Sequence, residues 1–166
     1  VESIETLTDV DLADLCNITE QAIKAGGGFG WLRVPTRDIL IDYWTKRTND
    51  KYIKLIVGRL NGVIAGTLQL AYEAPNIESR KNIARIRRQF VAPWARGYGL
   101  AKSMIDFSEQ KAKEENIKSI QLSVRETQDA AIKLFSGKDY EVWGENPYYA
   151  FINGSFIKGI YFYKNL

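Results

Sequence analysis

The sequence predicts an α/β (α+β) fold, a mixed, mostly antiparallel sheet flanked by about four helices. Three observations carry that expectation. Apolar residues switch repeatedly between a strand period of two and a helical period near 3.6. Asn61-Gly62 and Asn153-Gly154 each stand between two apolar runs, and Asn-Gly is the strongest short hairpin signal. The stretch Val91-Ala92-Pro93-Trp94-Ala95-Arg96-Gly97-Tyr98-Gly99-Leu100-Ala101-Lys102 then sets a glycine-bearing turn between a strand, Asn82 to Val91, and a helix whose Leu100, Met104 and Phe107 recur at helical spacing.

Taken in order, Ile4 to Leu7 reads as a short first strand. Thr8 and Asp11 form a variant capping box, and Leu12, Leu15, Cys16, Thr19, Ala22 and Ile23 share one helical face as far as about Ala25. Cys16 lies inside that stripe and reads as a small core residue. The run Gly26-Gly27-Gly28-Phe29-Gly30-Trp31-Leu32 has two readings: a flexible connector that ends the helix, or a glycine loop whose aromatics Phe29 and Trp31 close over a substrate. Pro35 and Thr36 start a second helix with Leu40, Tyr43 and Trp44 on one side. Lys51 to Leu60 and Val63 to Tyr72 are the strands of the first hairpin, and a turn near Pro75-Asn76 leads to the strand entering the glycine stretch. Beyond the loop helix come a strand from Lys118 to Val124 and a helix from about Thr127 that buries Ala131, Leu134 and Phe135 and stops near Gly137. A strand opening at Tyr140 and an aromatic-rich one from Phe156 to Tyr163 complete the chain. The expected order is β-α-α-β-β-β-α-β-α-β-β.

Composition narrows the function. With 166 residues, 45% of them hydrophobic, the chain suits one domain spanning residues 1–166. No run of about 18 apolar residues marks a membrane span. Val1-Glu2-Ser3-Ile4-Glu5 lacks the regions of a secretory signal. One cysteine and no histidine leave no internal disulfide and remove the commonest metal ligand and base. The expectation is a cytoplasmic protein without a metal. A formal charge of +3, from 23 basic and 20 acidic residues, argues against nucleic acid as a partner.

The chemistry gathers at the glycine stretch. The first amides of a helix have no internal partner, and the macrodipole favours negative charge there. Gly97 and Gly99 let an anion approach the backbone, and Arg96 adds a planar donor fork. A P-loop is excluded, because aligning Lys102-Ser103 with its Lys-Ser puts Arg96 and Ala101 in the glycine slots. A dinucleotide fingerprint, with three glycines and a ribose-binding carboxylate, is also missing. Arg96, Gly99 and Ala101 do satisfy Arg-x-x-Gly-x-Ala, which resembles the acyl-CoA pyrophosphate loop of the GNAT superfamily of N-acetyltransferases. The order of elements is similar to the GNAT fold over almost the whole chain. The block from Val124 to Phe135, followed by Asp139-Tyr140, looks like that family's strand-to-helix signature. A narrower resemblance, to the tabtoxin-resistance-type acetyltransferases, is carried by Gly26 to Leu32, Gly66-Thr67-Leu68-Gln69-Leu70, Pro75-Asn76, Pro147-Tyr148-Tyr149-Ala150 and the ending Ile160 to Leu166.

The resemblance implies acetyl-CoA as co-substrate, with its pyrophosphate on amides of Arg96, Gly97, Tyr98, Gly99, Leu100 and Ala101. It implies pairing of the pantetheine arm with backbone of Phe90 and Val91, in the manner of an added strand. Gln128 stands near that arm where the family usually has Asn, and Phe135 packs near the thioester. Two positions depart from the pattern. The usual general-base Glu falls on Arg85, and the usual proton-donating Tyr falls on Phe135. Glu126 and Tyr149 are the candidate catalytic replacements, beside their readings as a helix-start carboxylate and a structural aromatic. Arg80, Lys81, Arg85, Arg87 and Arg88 crowd the strand before the loop. At a period of two, Arg85, Arg87 and Gln89 share a face. That face either binds an anionic acceptor amine through Arg85 and Arg87 or is a solvated sheet edge.

Two functions follow. The first is an acetyl-CoA-dependent N-acetyltransferase acting on a small, anionic amine. The alternative is a catalytically weak acyl-CoA-binding or sensing module. Trp143, Tyr148 and Tyr161 are candidates for a homodimer contact.

Overall fold

The computed structural model describes residues 1–27 and 29–166, so of the glycine-rich run only Gly28 lies outside the described residues. β1 (Glu2–Ile4) leads into α1 (Asp9–Lys24) and α2 (Arg37–Thr48). A meander of β2 (Ile53–Leu60), β3 (Val63–Tyr72) and β4 (Ile83–Val91) follows. α3 (Leu100–Glu114) crosses over to β5 (Ser119–Arg125), and α4 (Asp129–Ser136) precedes the hairpin of β6 (Glu141–Ile152) and β7 (Ser155–Asn165). This is the predicted order, in a seven-stranded sheet arranged β1-β2-β3-β4-β5-β7-β6.

Most boundaries fall within a residue or two of expectation, and two of the shifts have a clear local cause. β1 ends at Ile4, because Glu2, Ser3 and Ile4 pair with Val57, Ile56 and Leu55 and the next residues lead into the helix cap. There the Thr8 hydroxyl oxygen accepts from the Asp11 amide at 3.1 Å while the Asp11 carboxylate accepts from the Thr8 amide at 3.3 Å, which satisfies two donors reciprocally. α4 starts at Asp129, not near Thr127, because Gln128 takes the cap position and Glu126 and Thr127 form the turn that follows the end of β5 at Arg125.

Both Asn-Gly pairs make the predicted turns. Asn61 and Gly62 have φ 52° and 84°, and Asn153 and Gly154 have φ 50° and 79°. Positive φ at both central residues matches the twist of the flanking strands. Leu60 therefore faces Val63, and Ile152 faces Ser155.

Every neighbouring pair of strands is antiparallel except β4 and β5. A parallel pair needs a long crossover, which α3 supplies. β4 and β5 pair only from Ile83–Ser119 to Arg85–Gln121. Beyond that they part, because β4 carries a bulge. Gln69 of β3 pairs with Arg87 and Thr67 pairs with Phe90, so Arg88 and Gln89 together stand opposite Leu68. Arg88 takes φ 50°, and such an extra residue bends its strand. β5 meanwhile stays paired with β7 along its whole length, from Ser119–Asn165 to Arg125–Gly159.

Two apolar cores lie on opposite faces of the sheet. Leu68, Leu70, Ile86, Met104, Ile120, Phe135 and Phe162 belong to the one under α3 and α4. Leu15, Ile18, Phe29, Leu40, Trp44, Leu55 and Val57 belong to the one under α1 and α2. The Trp44 indole donates to Thr19 Oγ1 at 3.0 Å, and that hydroxyl donates to the Leu15 carbonyl at 2.6 Å, tying α2 to α1. Gly58 seats α3: a Cβ there would stand 2.6 Å from the Leu100 side chain. No helix among the described residues is long and apolar enough to cross a membrane.

Candidate functional site

The glycine stretch folds as a chain of caps. Ala92 leaves β4 by donating to the Ala65 carbonyl at 2.8 Å, and Pro93–Ala95 form one 3₁₀ turn over the buried Ala92 and Ala95. Arg96 is extended and exposed. Gly97 and Gly99 then take φ 87° and 74°, a region open to glycine and strained for other residues. Gly99 caps α3, whose first bond runs from the Ser103 amide to the Gly99 carbonyl at 3.0 Å. The amides of Leu100, Ala101 and Lys102 precede that bond and have no helical acceptor. The first turn of α3 contains no carboxylate, so no side chain competes for the positive end of the helix. Tyr98 points its ring into solvent.

On the strand that leads into this loop, the splaying of β4 from β5 opens a cleft of about 450 Å³. Its walls come from residues 86–89 of β4, 122–125 of β5 and 149–152 of β6. Gln128, Ala131 and Phe135 close it on the α4 side, and Phe29, Gly30 and Leu32 on the α1/α2 side. It therefore runs through the sheet. The edge of β4 that faces it is free of β5 beyond Arg85, which leaves the backbone of Phe90 and Val91 bonded to β3 on one side only, through Thr67 and Gly66.

Tyr149 projects into the cleft. Its hydroxyl is hydrogen-bonded to Ser123 Oγ at 2.9 Å. The Tyr149 side chain covers Gly159, where a Cβ would come within 2.3 Å of the ring. Phe135 forms the inner wall at 2% exposure, against Tyr140 and Phe162 at ring separations of 5.2 and 6.2 Å. Burial, reinforced by the nearby Glu109 and Asp106 carboxylates, pushes the Tyr140 hydroxyl well above its ordinary value, so it is a neutral structural phenol. Gln128 lines the cleft and donates from Nε2 to the Gly26 carbonyl at 3.0 Å, joining α4 to the end of α1.

Four expected site residues stand elsewhere or act differently. Glu126 does not line the cleft. Its carboxylate accepts from the Lys158 amide at 2.8 Å, and the Glu126 amide donates to the Lys158 carbonyl at 2.8 Å, so it ends the β5–β7 ladder. Arg85 does not line the cleft either. It lies in the paired part of β4, with its guanidinium 3.2 Å from the Glu73 carboxylate. Phe29 is a wall rather than a flap: it is 2% exposed and packs on Trp31, Tyr43 and Phe90 at 5.9, 6.4 and 5.1 Å. Trp31 faces an adjoining cavity instead. Arg87 does line the cleft.

Two cleft residues escaped the sequence reading. Arg88 enters because the bulge breaks the period of two, and its guanidinium lies over the Phe29 ring at 5.8 Å. Nothing in the sequence marks that bulge. Arg125 was legible in principle: Ile120, Leu122 and Val124 alternate with Gln121, Ser123 and Arg125, so one face of β5 is polar. Arg125 donates to the Phe29 carbonyl at 2.6 Å. Among the described residues, the cleft walls thus carry Arg87, Arg88 and Arg125 and no carboxylate. The Cys16 thiol is fully buried under α1, where burial pushes its ionisation up; it is no nucleophile for this cleft.

The comparisons with known proteins agree with this geometry. The model of the Acetyltransferase (GNAT) family matches residues 16–138. An uncharacterized N-acetyltransferase of the hisH-hisA intergenic region of Azospirillum brasilense is 45% identical over 128 residues, covering 77% of this chain and 76% of that protein. Among solved structures, the ribosomal-protein-alanine N-acetyltransferase of Brucella melitensis superposes with a TM-score of 0.82 at 17% identity, with all of each chain covered. The structure of yncA from Salmonella typhimurium with its cofactor acetyl-CoA gives a TM-score of 0.79 at 16% identity, covering 96% of this chain and 91% of that one. With the family match spanning most of the sequence and the same fold recurring in these structures, the chain belongs to the acetyltransferase (GNAT) family of N-acetyltransferases.

Proposed function

We propose that this protein is a single-domain, acetyl-CoA-dependent N-acetyltransferase whose acceptor is the amine of a small anionic molecule. The observation that carries the reading is the cleft itself. It lies along the strand that leads to a helix start whose first amides have no helical acceptor, and among the described residues it is walled by three guanidinium groups and no carboxylate. Acetyl-CoA fits the chain's donor set: backbone of Arg96, Gly97, Tyr98, Gly99, Leu100 and Ala101 would hold the pyrophosphate, the free edge at Phe90 and Val91 would hold the pantetheine amides, and Gln128 and Phe135 would flank the arm. The co-substrate supplies an activated acetyl thioester, so that the acceptor nitrogen gains the acetyl carbon as the C–S bond breaks and a proton passes from nitrogen to sulfur.

Tyr149 Oη is the group in this cleft suited to delivering a proton, with Ser123 Oγ beside it to orient the hydroxyl. Among the described residues, no carboxylate or imidazole faces the cleft to act as a base. The acceptor therefore has to arrive as the neutral amine, and the rate is expected to rise with pH toward the pKa of the free amine. Arg87 and Arg88 orient the acceptor by its negative group.

The kinship to tabtoxin-resistance-type acetyltransferases is part of this proposal and rests on the sequence blocks. So do a cytoplasmic setting and a homodimer, the latter supported by the exposed Trp143 and Tyr148 on β6, the last strand of the sheet. The absence of a base favours one second reading, a weak acyl-CoA-binding module. Two measurements separate the readings. A rise in melting temperature with acetyl-CoA supports binding, and release of free thiol in the presence of carboxylated amines supports transfer. A melting shift without thiol release for any such amine would favour the binding module; no shift at millimolar acetyl-CoA would overturn both.

A further inference from the structure

A second cavity, of about 530 Å³, adjoins the cleft and has no part in the chemistry described so far. Its apolar walls are Ile23 at the end of α1, Trp31 and Leu32 from the segment before α2, and Ile152 and Ile157 from the β6–β7 hairpin. Leu32, Arg125 and Ile152 line both cavities, so the two are chambers of one space with Arg125 at the join. The bond from Arg125 to the Phe29 carbonyl, at 2.6 Å, uses one of its five N–H donors. It holds the guanidinium between the chambers with the others to spare.

Both chambers mix apolar and polar walls, with Thr127, Asn153 and Ser155 in the second, and they differ in where the arginines and the exposed aromatic face lie. The cleft collects Arg87, Arg88 and Arg125. The second chamber offers an aromatic plate: Trp31 stacks on Phe29 at 5.9 Å and 12° and meets Tyr43 edge-on at 5.2 Å. Held on both sides, its ring loses little freedom when a ligand packs against it. Among the described residues neither chamber is lined by a carboxylate, and Lys24 adds a further cation to the second. A diamine would bring a second positive charge to walls that hold only positive ones.

We propose that the second chamber is the side-chain subsite of the acceptor, and that the acceptor is a carboxylated amine with a bulky apolar substituent, in the manner of phenylalanine or leucine. Its carboxylate faces the arginines and its substituent lies against Trp31, Leu32, Ile152 and Ile157. For its chemistry the inference rests on the acetyl-transfer reading; for binding it stands on the two chambers alone.

The test uses the full chain and measures calorimetric affinity for phenylalanine, leucine, glycine and putrescine, then thiol release with each in the presence of acetyl-CoA. Phenylalanine or leucine should bind at least about tenfold more tightly than glycine, as expected when an apolar pocket is filled, and putrescine should not bind. Ile157→Asp should bring the phenylalanine-to-glycine ratio close to one. Leu32→Glu, at an exposed position, should lower the same ratio and covers the case in which Ile157→Asp fails to fold. Equal affinity for glycine and phenylalanine, binding of none of the amines, or a ratio unmoved by both variants would overturn the inference. Selective phenylalanine binding without thiol release would support the subsite and count against the transfer reading, so the two failures are distinct.

Discussion

The two ends of the β4–β5 pair are built from the same strands and do opposite things. At the end near Ile83 the strands are hydrogen-bonded side by side, and Ala84 and Ile120 are fully buried in the core under α3 and α4. A few residues on, Arg88 stands at φ 50° with Gln89 in a bulge, the strands part, and the walls become arginine, serine, glutamine and tyrosine. One extra residue on one strand separates a dry core from a polar cleft. The sheet can open there because each strand keeps its other partner: β4 stays with β3 and β5 with β7.

That contrast can be broken or sharpened from either end. The largest effect is expected from the closed end. Phe162, fully buried beside Phe135, should cost about 3–5 kcal/mol of stability as Phe162→Ala, read from the urea midpoint. At the open end, Tyr149→Phe should leave that midpoint nearly unmoved and lower kcat by about 100-fold if the hydroxyl moves the proton; an unchanged kcat would reduce Tyr149 to a wall.

Arg88→Gly is predicted to separate fold from function at the bulge itself. Glycine accepts positive φ without strain, so stability should hold or rise by up to about 1 kcal/mol, while KM for a carboxylated acceptor rises about tenfold. A fall in stability would mean that the Arg88–Phe29 contact outweighs the backbone strain.

The smallest effect concerns acid, and it should fall outside the cleft. Asp11 is buried, which opposes its ionisation, but hydrogen bonds from Arg59 and Thr8 outweigh this and hold its carboxyl below the ordinary value. A carboxyl held low stabilises the fold fully above the unfolded pKa of about 3.9 and loses that contribution as pH falls through the lower folded value. Asp11→Asn should therefore flatten part of the stability loss below about pH 4, measured as urea midpoints across that range.

What the sequence made legible follows from how local each feature is. The anion loop is written in consecutive residues, Arg96 to Ala101, whose glycines and helix start need no distant partner. The hairpins at Asn61-Gly62 and Asn153-Gly154 are equally self-contained, and so is the Thr8–Asp11 cap. The cleft is assembled from β4, β5, β6, α4 and the segment around Phe29, and its membership depends on where a ladder slips by a residue. A period of two therefore put Arg85 and Arg87 together, although the paired end holds Arg85 against Glu73. Glu126 looked free at a strand end because its acceptor role at Lys158 spans 32 residues of chain. Phe29 read as a loop aromatic because the rings that bury it come from α2 and β4.

The Tyr149 ring over Gly159 has an evolutionary corollary. While the ring is there, a side chain at 159 would overlap it, with a Cβ at 2.3 Å; once the ring is gone, the remaining close atom is the Cβ of residue 149 at 2.8 Å, an overlap that a small shift of the strands relieves. Changes at the two positions are therefore ordered. Loss of the aromatic can come first and be followed by a larger residue on β7, whereas the reverse order passes through a clash. A lineage that gave up the phenol and then filled the glycine could not regain the tyrosine in one step, so this pair would act as a ratchet on the chemistry of the cleft.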